Sequence, residues 1–314
     1  MNITLAKSSG FCFGVRRAVD IAKNLGERGI HACTLGPIIH NTNVVSELES
    51  LGIPCVDSVS DIPDRYIAII RSHGVGADIT DELNTRGIKY IDATCPYIEK
   101  IHKIVRENAA RGRCIIVIGT KTHPEVRGIA GQCKNALVIE HESDIELAFK
   151  ANPDLHDLPI TIVAQTTIGR AFWNKCIEIL KKECTKCEIF DTICLATSKR
   201  QDDAQMLAKS SDAMIVIGDR TSSNTKGLVR ICKSHCEHVF HIENADELPT
   251  AALRDFSAIG ITAGASTPDW IIKEVKNKMS EQVTNNEETV IAEGESFADM
   301  LEASLKTLNT GEKV

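Results

Sequence analysis

The stretch Ile115-Ile-Val-Ile-Gly-Thr-Lys-Thr-His123 recurs in outline as Met214-Ile-Val-Ile-Gly-Asp-Arg-Thr-Ser222, and once more where an apolar run leads into Gly36 to His40. Each copy is a set of apolar residues, a glycine and, four residues on, a polar side chain. Apolar residues that follow one another without alternating read as a strand buried on both faces. A second strand follows in each copy and ends in a polar tip: Ile67 to Ile70 then Arg71-Ser72-His73, Thr161 to Ala164 then Gln165-Thr166-Thr167, and Ile259 to Thr262 then Ala263-Gly264-Ala265-Ser266. A third element closes on Asp-x-x-Cys, as Asp92-Ala-Thr-Cys95 and Asp191-Thr-Ile-Cys194. The third copy lacks this ending. The N-terminus supplies it, because Ile3 to Ala6 reads as a short strand leading through Ser8-Ser9-Gly10-Phe11 to Cys12.

After each cysteine the apolar spacing becomes helical, with Val15, Ala18, Val19 and Ala22 after the first and Ile98, Ile101, Ile104 and Val105 after the second. The helix after Cys194 is more polar and keeps a face of Ala204, Leu207 and Ala208. Buried strands alternating with helices predict an α/β protein with mainly parallel sheets. The expectation is three small α/β domains related by a pseudo-threefold axis and converging on one central cavity. The boundaries fall at 1–96 (first repeat with the N-terminal cluster strand), 97–193 and 194–281, with 282–314 as an acidic linker and tail. Ligands of such sheets bind at the carboxyl ends of the strands, where these tips lie.

Composition narrows the functions. The chain has 314 residues, 43% of them hydrophobic, so it can bury a core, and its formal net charge is −7. An acidic protein lacks the footprint of one built around nucleic-acid phosphates. No apolar run approaches the roughly 18 residues of a membrane span, and the first residues lack a secretory signal, so the expected location is the cytoplasm and no membrane partner is expected. Twelve cysteines in a reducing compartment are not a disulfide framework; most need be no more than small buried hydrophobes.

Cys12, Cys95 and Cys194 differ from the other nine by their repeated placement at strand-to-helix junctions, where a helix N-terminus favours the thiolate. Three such sulfurs could serve a structural zinc lacking a ligand, a catalytic zinc, or an iron–sulfur cluster with one iron left open, and sulfur-only ligation favours the last. Cys184-x-x-Cys187, with Cys232, His235, Cys236 and His238, offers zinc-like spacing, but Lys182, Glu183, Thr185 and Lys186 place the pair on a solvated, loop-like stretch and it is read as a decoy.

Of ten histidines, His40, His73 and His123 alone occupy the repeat tips. Together with Ser222, Ser223, Asn224 and Ser266 from the third copy they predict a ring of hydrogen-bond donors suited to a small diphosphate. Glu125, two residues after His123, is expected in the same loop, where apolar walls would raise its proton affinity as an acid catalyst requires; its plainer reading is a helix-start glutamate.

Taken together, Gly10-Phe-Cys-Phe-Gly-Val-Arg-Arg-Ala18, Asp92-Ala-Thr-Cys-Pro96, Gly119-x3-His-Pro-Glu125, Gln165-Thr-Thr167, Ser222-Ser-Asn224 and Thr262-Ala-Gly-Ala-Ser266 closely resemble the 4-hydroxy-3-methylbut-2-enyl diphosphate reductase family over about residues 1 to 280. The resemblance implies a two-electron reductive dehydroxylation of (E)-4-hydroxy-3-methylbut-2-enyl diphosphate to isopentenyl and dimethylallyl diphosphates, the last step of the non-mevalonate isoprenoid pathway. It implies one [4Fe-4S] cluster per chain on Cys12, Cys95 and Cys194, its open iron a Lewis acid. It implies Glu125 as proton donor with Thr166 helping to relay the proton and contacting substrate. His40, His73, His123, Ser222, Ser223, Asn224 and Ser266 match the diphosphate-binding positions, and reduced ferredoxin or flavodoxin is the implied electron donor.

The resemblance stops at the tail. Thr284-Asn-Asn-Glu-Glu288 reads as an acidic linker, and Ser296 as the cap of an amphipathic helix through Leu301 and Leu305. This segment looks like the leader of a ribosomal RNA-binding protein, so RNA is an expected partner only if a further domain follows Val314. Two rival readings remain: a zinc-dependent hydrolase of a small phosphorylated metabolite with Glu125 as base, and an RNA-associated module, which the acidic charge opposes.

Overall fold

The computed structural model describes residues 1–283, and the expected linker from Thr284 and the helix capped by Ser296 lie outside them. Among the described residues twelve strands form three four-stranded sheets, and every pairing is parallel. Chain order begins with β1 (Asn2–Leu5) and α1 (Phe13–Glu27). Next come β2 (Ala32–Leu35), α2 (Thr42–Ser50), β3 (Cys55–Val56), β4 (Ile67–Ile70), α3 (Ala77–Thr85) and β5 (Tyr90–Asp92), whose strands form a sheet in the order β3-β2-β4-β5. Helix α4 (Pro96–Ala110) leads to β6 (Cys114–Ile118), α5 (Pro124–Ala130), β7 (Ala136–Ile139), α6 (Glu142–Ala151), β8 (Ile160–Ala164), α7 (Arg170–Glu183) and β9 (Cys187–Ile189), a sheet in the order β7-β6-β8-β9. Helix α8 (Leu195–Lys209) opens the last copy, with β10 (Ala213–Ile217), α9 (Ser223–Lys233), β11 (His238–Ile242), β12 (Ala258–Ala263) and α10 (Asp269–Val283).

The third sheet runs β11-β10-β12-β1, so β1 takes the edge place that β5 and β9 hold in the other two. Residues 1–96 therefore contribute to two sheets. Each sheet has the same order of strands, as three copies of one sequence pattern require. Strands β8 and β10 are buried along their whole length, because helices cover both faces of a parallel sheet. The apolar face of α4, with Ile98, Ile101 and Val105 buried, is the one its spacing predicts. Helix α8 differs: its buried face carries Thr197, Arg200 and Gln201 beside Ala204 and Ala208.

By contacts the described chain divides into two compact units. One comprises Met1–Arg16, His40–Val44 and the residues from Leu195 onward; it holds the third sheet. The other comprises Arg17–Ile39 and Val45–Cys194 and holds the first two sheets.

Candidate active site

In the two-sheet unit, the Asp-x-x-Cys signature is an Asx turn. Asp92 Oδ1 accepts from the Thr94 N–H at 2.8 Å, and Asp191 Oδ1 accepts from the Ile193 N–H at 3.3 Å. The turn carries the chain off the edge strand and sets the cysteine beside the tip of the neighbouring strand. There the Cys95 N–H donates to the Ser72 carbonyl and the Cys194 N–H to the Thr166 carbonyl, both at 3.0 Å. In the other unit the Cys12 N–H donates to the Ala265 carbonyl at 3.2 Å. Ser72, Thr166 and Ala265 hold the same place in the three repeat tips, so the three cysteines share one backbone setting. Each is followed at once by a helix: α1, α4 and α8 begin at the next residue. All three cysteines are half-buried and outside any disulfide.

Other cysteines are buried in the core. Burial pushes Cys33 and Cys176 up to about 11, and Cys184 and Cys232 up to about 12, which keeps them as protonated thiols. The expectation that Cys184 lies on a solvated stretch is corrected. It is buried in the core of the second sheet beside Cys176 and Leu180, because the last turn of α7 packs its apolar face onto that sheet. Cys232 and Cys236 belong to the core of the third sheet. Among the described residues no group of three or more His, Cys, Asp or Glu side chains is placed to hold a single metal ion.

Glu125 sits in the first turn of α5, whose N-cap is His123; the His123 Nδ1 accepts from the Glu125 N–H at 3.2 Å. Its carboxyl group is 1% exposed and is gripped by one residue of the facing strand tip. The Thr166 N–H donates to Oε1 at 2.6 Å and the Thr166 hydroxyl to Oε2 at 2.9 Å. Burial pushes the Glu125 carboxyl up to about 7, against the two Thr166 bonds that favour the charged form. The group therefore exchanges a proton near neutral pH, and the plainer reading as an ordinary helix-start glutamate does not fit its burial. His73 and His123 meet edge to face, with ring centroids 5.7 Å apart. The loop after His73 is pressed onto α5: a Cβ on Gly76 would fall 3.2 Å from the Gly131 Cα, and Gln132 Nε2 donates to the carbonyls of Val75 and Gly128 at 2.8 and 2.9 Å.

In the other unit, Ser222 caps α9, its hydroxyl accepting from the Thr225 N–H at 3.3 Å. Asn224 is buried, and both polar atoms of its side chain lack a hydrogen-bond partner; so does the buried Ser266 hydroxyl. A buried polar atom left unsatisfied is costly, so these side chains are candidates for contact with a polar ligand. Ser223 follows the cap, half-buried. Gly264 permits this crowding, since a Cβ there would lie 2.3 Å from Thr225 Oγ1. His40 precedes Asn41, which accepts from the Val44 N–H at 3.1 Å as the cap of α2.

Three buried polar residues at or near the tips and cysteines escaped the sequence reading. Asp219 follows Gly218 and accepts from the Thr221 N–H at 2.7 Å and the Thr42 N–H at 3.2 Å. Burial alone would push its carboxyl up, but these bonds, with a smaller pull from His40, outweigh it and hold the group below the ordinary carboxylate value. Gln132 and Arg200 are the others. Only their spacing from a tip or a cysteine could have signalled them.

The model of the LytB protein family matches residues 3–280. A Clostridium tetani (strain Massachusetts / E88) protein named 4-hydroxy-3-methylbut-2-enyl diphosphate reductase is 42% identical over 91% of this chain; the chain spans 45% of that relative's length. A Thermoanaerobacter sp. (strain X514) protein of the same name is 41% identical over 89% of this chain and 96% of its own. Among solved structures, one of (E)-4-hydroxy-3-methyl-but-2-enyl diphosphate reductase, described as the terminal enzyme of the non-mevalonate pathway, is 38% identical over 90% of this chain and all of its own, with a TM-score of 0.66. The E-1-hydroxy-2-methyl-but-2-enyl-4-diphosphate reductase from Plasmodium falciparum is 26% identical over 98% of this chain and 99% of its own, with a TM-score of 0.85.

Proposed function

Because this chain belongs to the LytB protein family, we propose that it reduces (E)-4-hydroxy-3-methylbut-2-enyl diphosphate to isopentenyl and dimethylallyl diphosphates. Two electrons and two protons enter; the C–O bond breaks, the hydroxyl leaves as water with one proton, and a C–H bond forms with the other.

The observation that carries this reading is the Glu125–Thr166 pair. A general acid works best with a pKa near the working pH, and the buried Glu125 carboxyl, at about 7, is half-protonated at neutrality. Thr166 donates to it through both N–H and hydroxyl, while the Thr166 carbonyl accepts from Cys194. One residue thus ties the proton donor to a cysteine that we assign as a ligand. Glu125 gives its proton to the departing hydroxyl, and Thr166 orients the carboxyl and relays the proton.

The cofactor is one [4Fe-4S] cluster on Cys12, Cys95 and Cys194. The donor set fits: three thiols outside any disulfide, in one repeated backbone setting and each immediately before the first residue of a helix. When bound, the cluster supplies electrons and a Lewis-acidic iron. The diphosphate is held by His40, His73, His123, Ser222, Ser223, Asn224 and Ser266, and the unsatisfied Asn224 and Ser266 side chains support that assignment. Reduced ferredoxin or flavodoxin supplies the electrons. No helix among the described residues is long and apolar enough to cross a membrane, and we assign the activity to the cytoplasm.

Anaerobic purification tests the cofactor, with about four iron and four sulfide per chain expected. Turnover of the hydroxylated diphosphate with a chemical reductant tests the reaction. Zinc in place of iron, with no turnover, would overturn this reading in favour of the hydrolase.

A further inference from the structure

The polar buried face of α8 centres on Arg200, which is 2% exposed. A guanidinium that deep carries a large desolvation cost unless it is engaged. Its Nη1 donates to the carbonyl of Ser8 and, at 3.0 Å, to the carbonyl of Ala263. These carbonyls lie where two neighbouring strands part. The β1–β12 pairing ends with the Ala6 N–H donating to the Ile261 carbonyl at 2.8 Å. Beyond it the chain after β1 leaves the sheet through Gly10, in the left-handed region at φ +94°, and returns at Cys12 to bond Ala265. Once the ladder opens, buried carbonyls on both strands need another donor. A guanidinium has a rigid fork of donors and no acceptor, so one side chain can serve both.

We propose that Arg200 is a positioning residue: it fixes the Ser8–Cys12 loop against the end of β12, presetting the Cys12 thiol before the cluster arrives. This rests on Cys12 being a cluster ligand. The loop reaches Cys12 through Gly10, which favours no single conformation on its own, so without the clamp residues 8–12 would keep only backbone bonds: Ser9 N–H to the Ala6 carbonyl, Cys12 N–H to the Ala265 carbonyl and Arg16 N–H to the Cys12 carbonyl. Residues that orient metal ligands govern how firmly the metal is kept.

The test uses the full chain, reconstituted anaerobically, as wild type, Arg200→Lys and Arg200→Ala. Iron loss to a chelator, followed by the visible absorbance, should be about ten- to hundredfold faster in Arg200→Ala. Arg200→Lys, which keeps the charge without the fork, should fall between the two. Added guanidinium ion should slow the loss in Arg200→Ala and leave wild type unchanged. In cluster-free protein, amide hydrogen exchange at residues 9–12 should quicken in Arg200→Ala while β10 stays protected. Wild-type iron retention and exchange in Arg200→Ala would overturn the proposal. So would loss of protection throughout the third sheet in both variants, which would make Arg200 a support of the fold alone. Wild type that binds no iron would instead defeat the ligand assignment, and the exchange measurement would still judge the clamp.

Discussion

Both donors of Thr166 are spent on one carboxyl group, that of Glu125, at 2.6 and 2.9 Å. Neither residue has this character alone: a threonine after a strand is ordinary, and a glutamate in the first turn of a helix is usually a solvated anion. Face to face in a dry site, they make a carboxyl group that holds its proton up to about pH 7.

Turnover should report that group directly. With Glu125 as the acid, activity is full below its pKa and falls as pH rises through about 7, one alkaline limb of a pH–rate profile. Glu125→Gln, which keeps the shape and removes the proton, should lower kcat by about two to four orders of magnitude and abolish that limb. Single-turnover kinetics across pH 6 to 9 check both; a Gln variant with the wild-type limb would reassign the proton donor.

Stability should follow the same proton with a definite sign. The folded-state pKa is raised from 4.5 to about 7, so between those values the native state binds more protons than the unfolded state. Wild type therefore loses stability as pH rises through that window, by about 3 kcal/mol, and changes little above it on this account. Glu125→Gln should not show the loss. Urea unfolding at pH 5 and pH 8 on both proteins measures the difference.

Asn224 should behave in the opposite way to an ordinary core residue. Its buried amide has no partner, a cost of about 1–3 kcal/mol in the ligand-free protein. Asn224→Ala should leave the melting temperature of the ligand-free protein unchanged or higher, while weakening diphosphate binding about tenfold or more. Thermal melts with and without inorganic diphosphate separate the two effects.

Two cysteine substitutions should divide cleanly. Cys12→Ser should lose iron with little change in the fold. Cys184→Ala removes a thiol from the core of the second sheet and should cost about 1 kcal/mol while keeping a full complement of iron. Metal analysis beside a denaturation curve tells them apart.

The repeats were legible because they are written in local terms. Apolar runs, glycine four residues before a tip, and aspartate three before a cysteine each act through turns and strands a few residues long, so Cys95, Cys194 and the tips at His123 and Ser222 could be placed from spacing alone. The missing fourth strand of the third copy pointed to residues 3 to 6, and β1 pairs with β12. The CxxC pair misled because the polarity of its neighbours says nothing of which way Cys184 faces at the end of α7; its burial comes from packing against residues distant in sequence.

The alternation of parallel strands with helices, the apolar face of α4 and the placement of the three cysteines just before helices were thus determined by the amino-acid sequence, since hydrophobic period and turn chemistry are decided over a few residues. The proton affinity of Glu125, the unsatisfied amide of Asn224 and the clamp by Arg200 were decided only by tertiary structure. Each depends on burial and on what segments far along the chain bring to the group: Glu125 and Thr166 are 41 positions apart, and Arg200 and Ser8 are 192 apart. No local pattern specifies how much water such a contact excludes, and water exclusion is what gives these groups their chemistry.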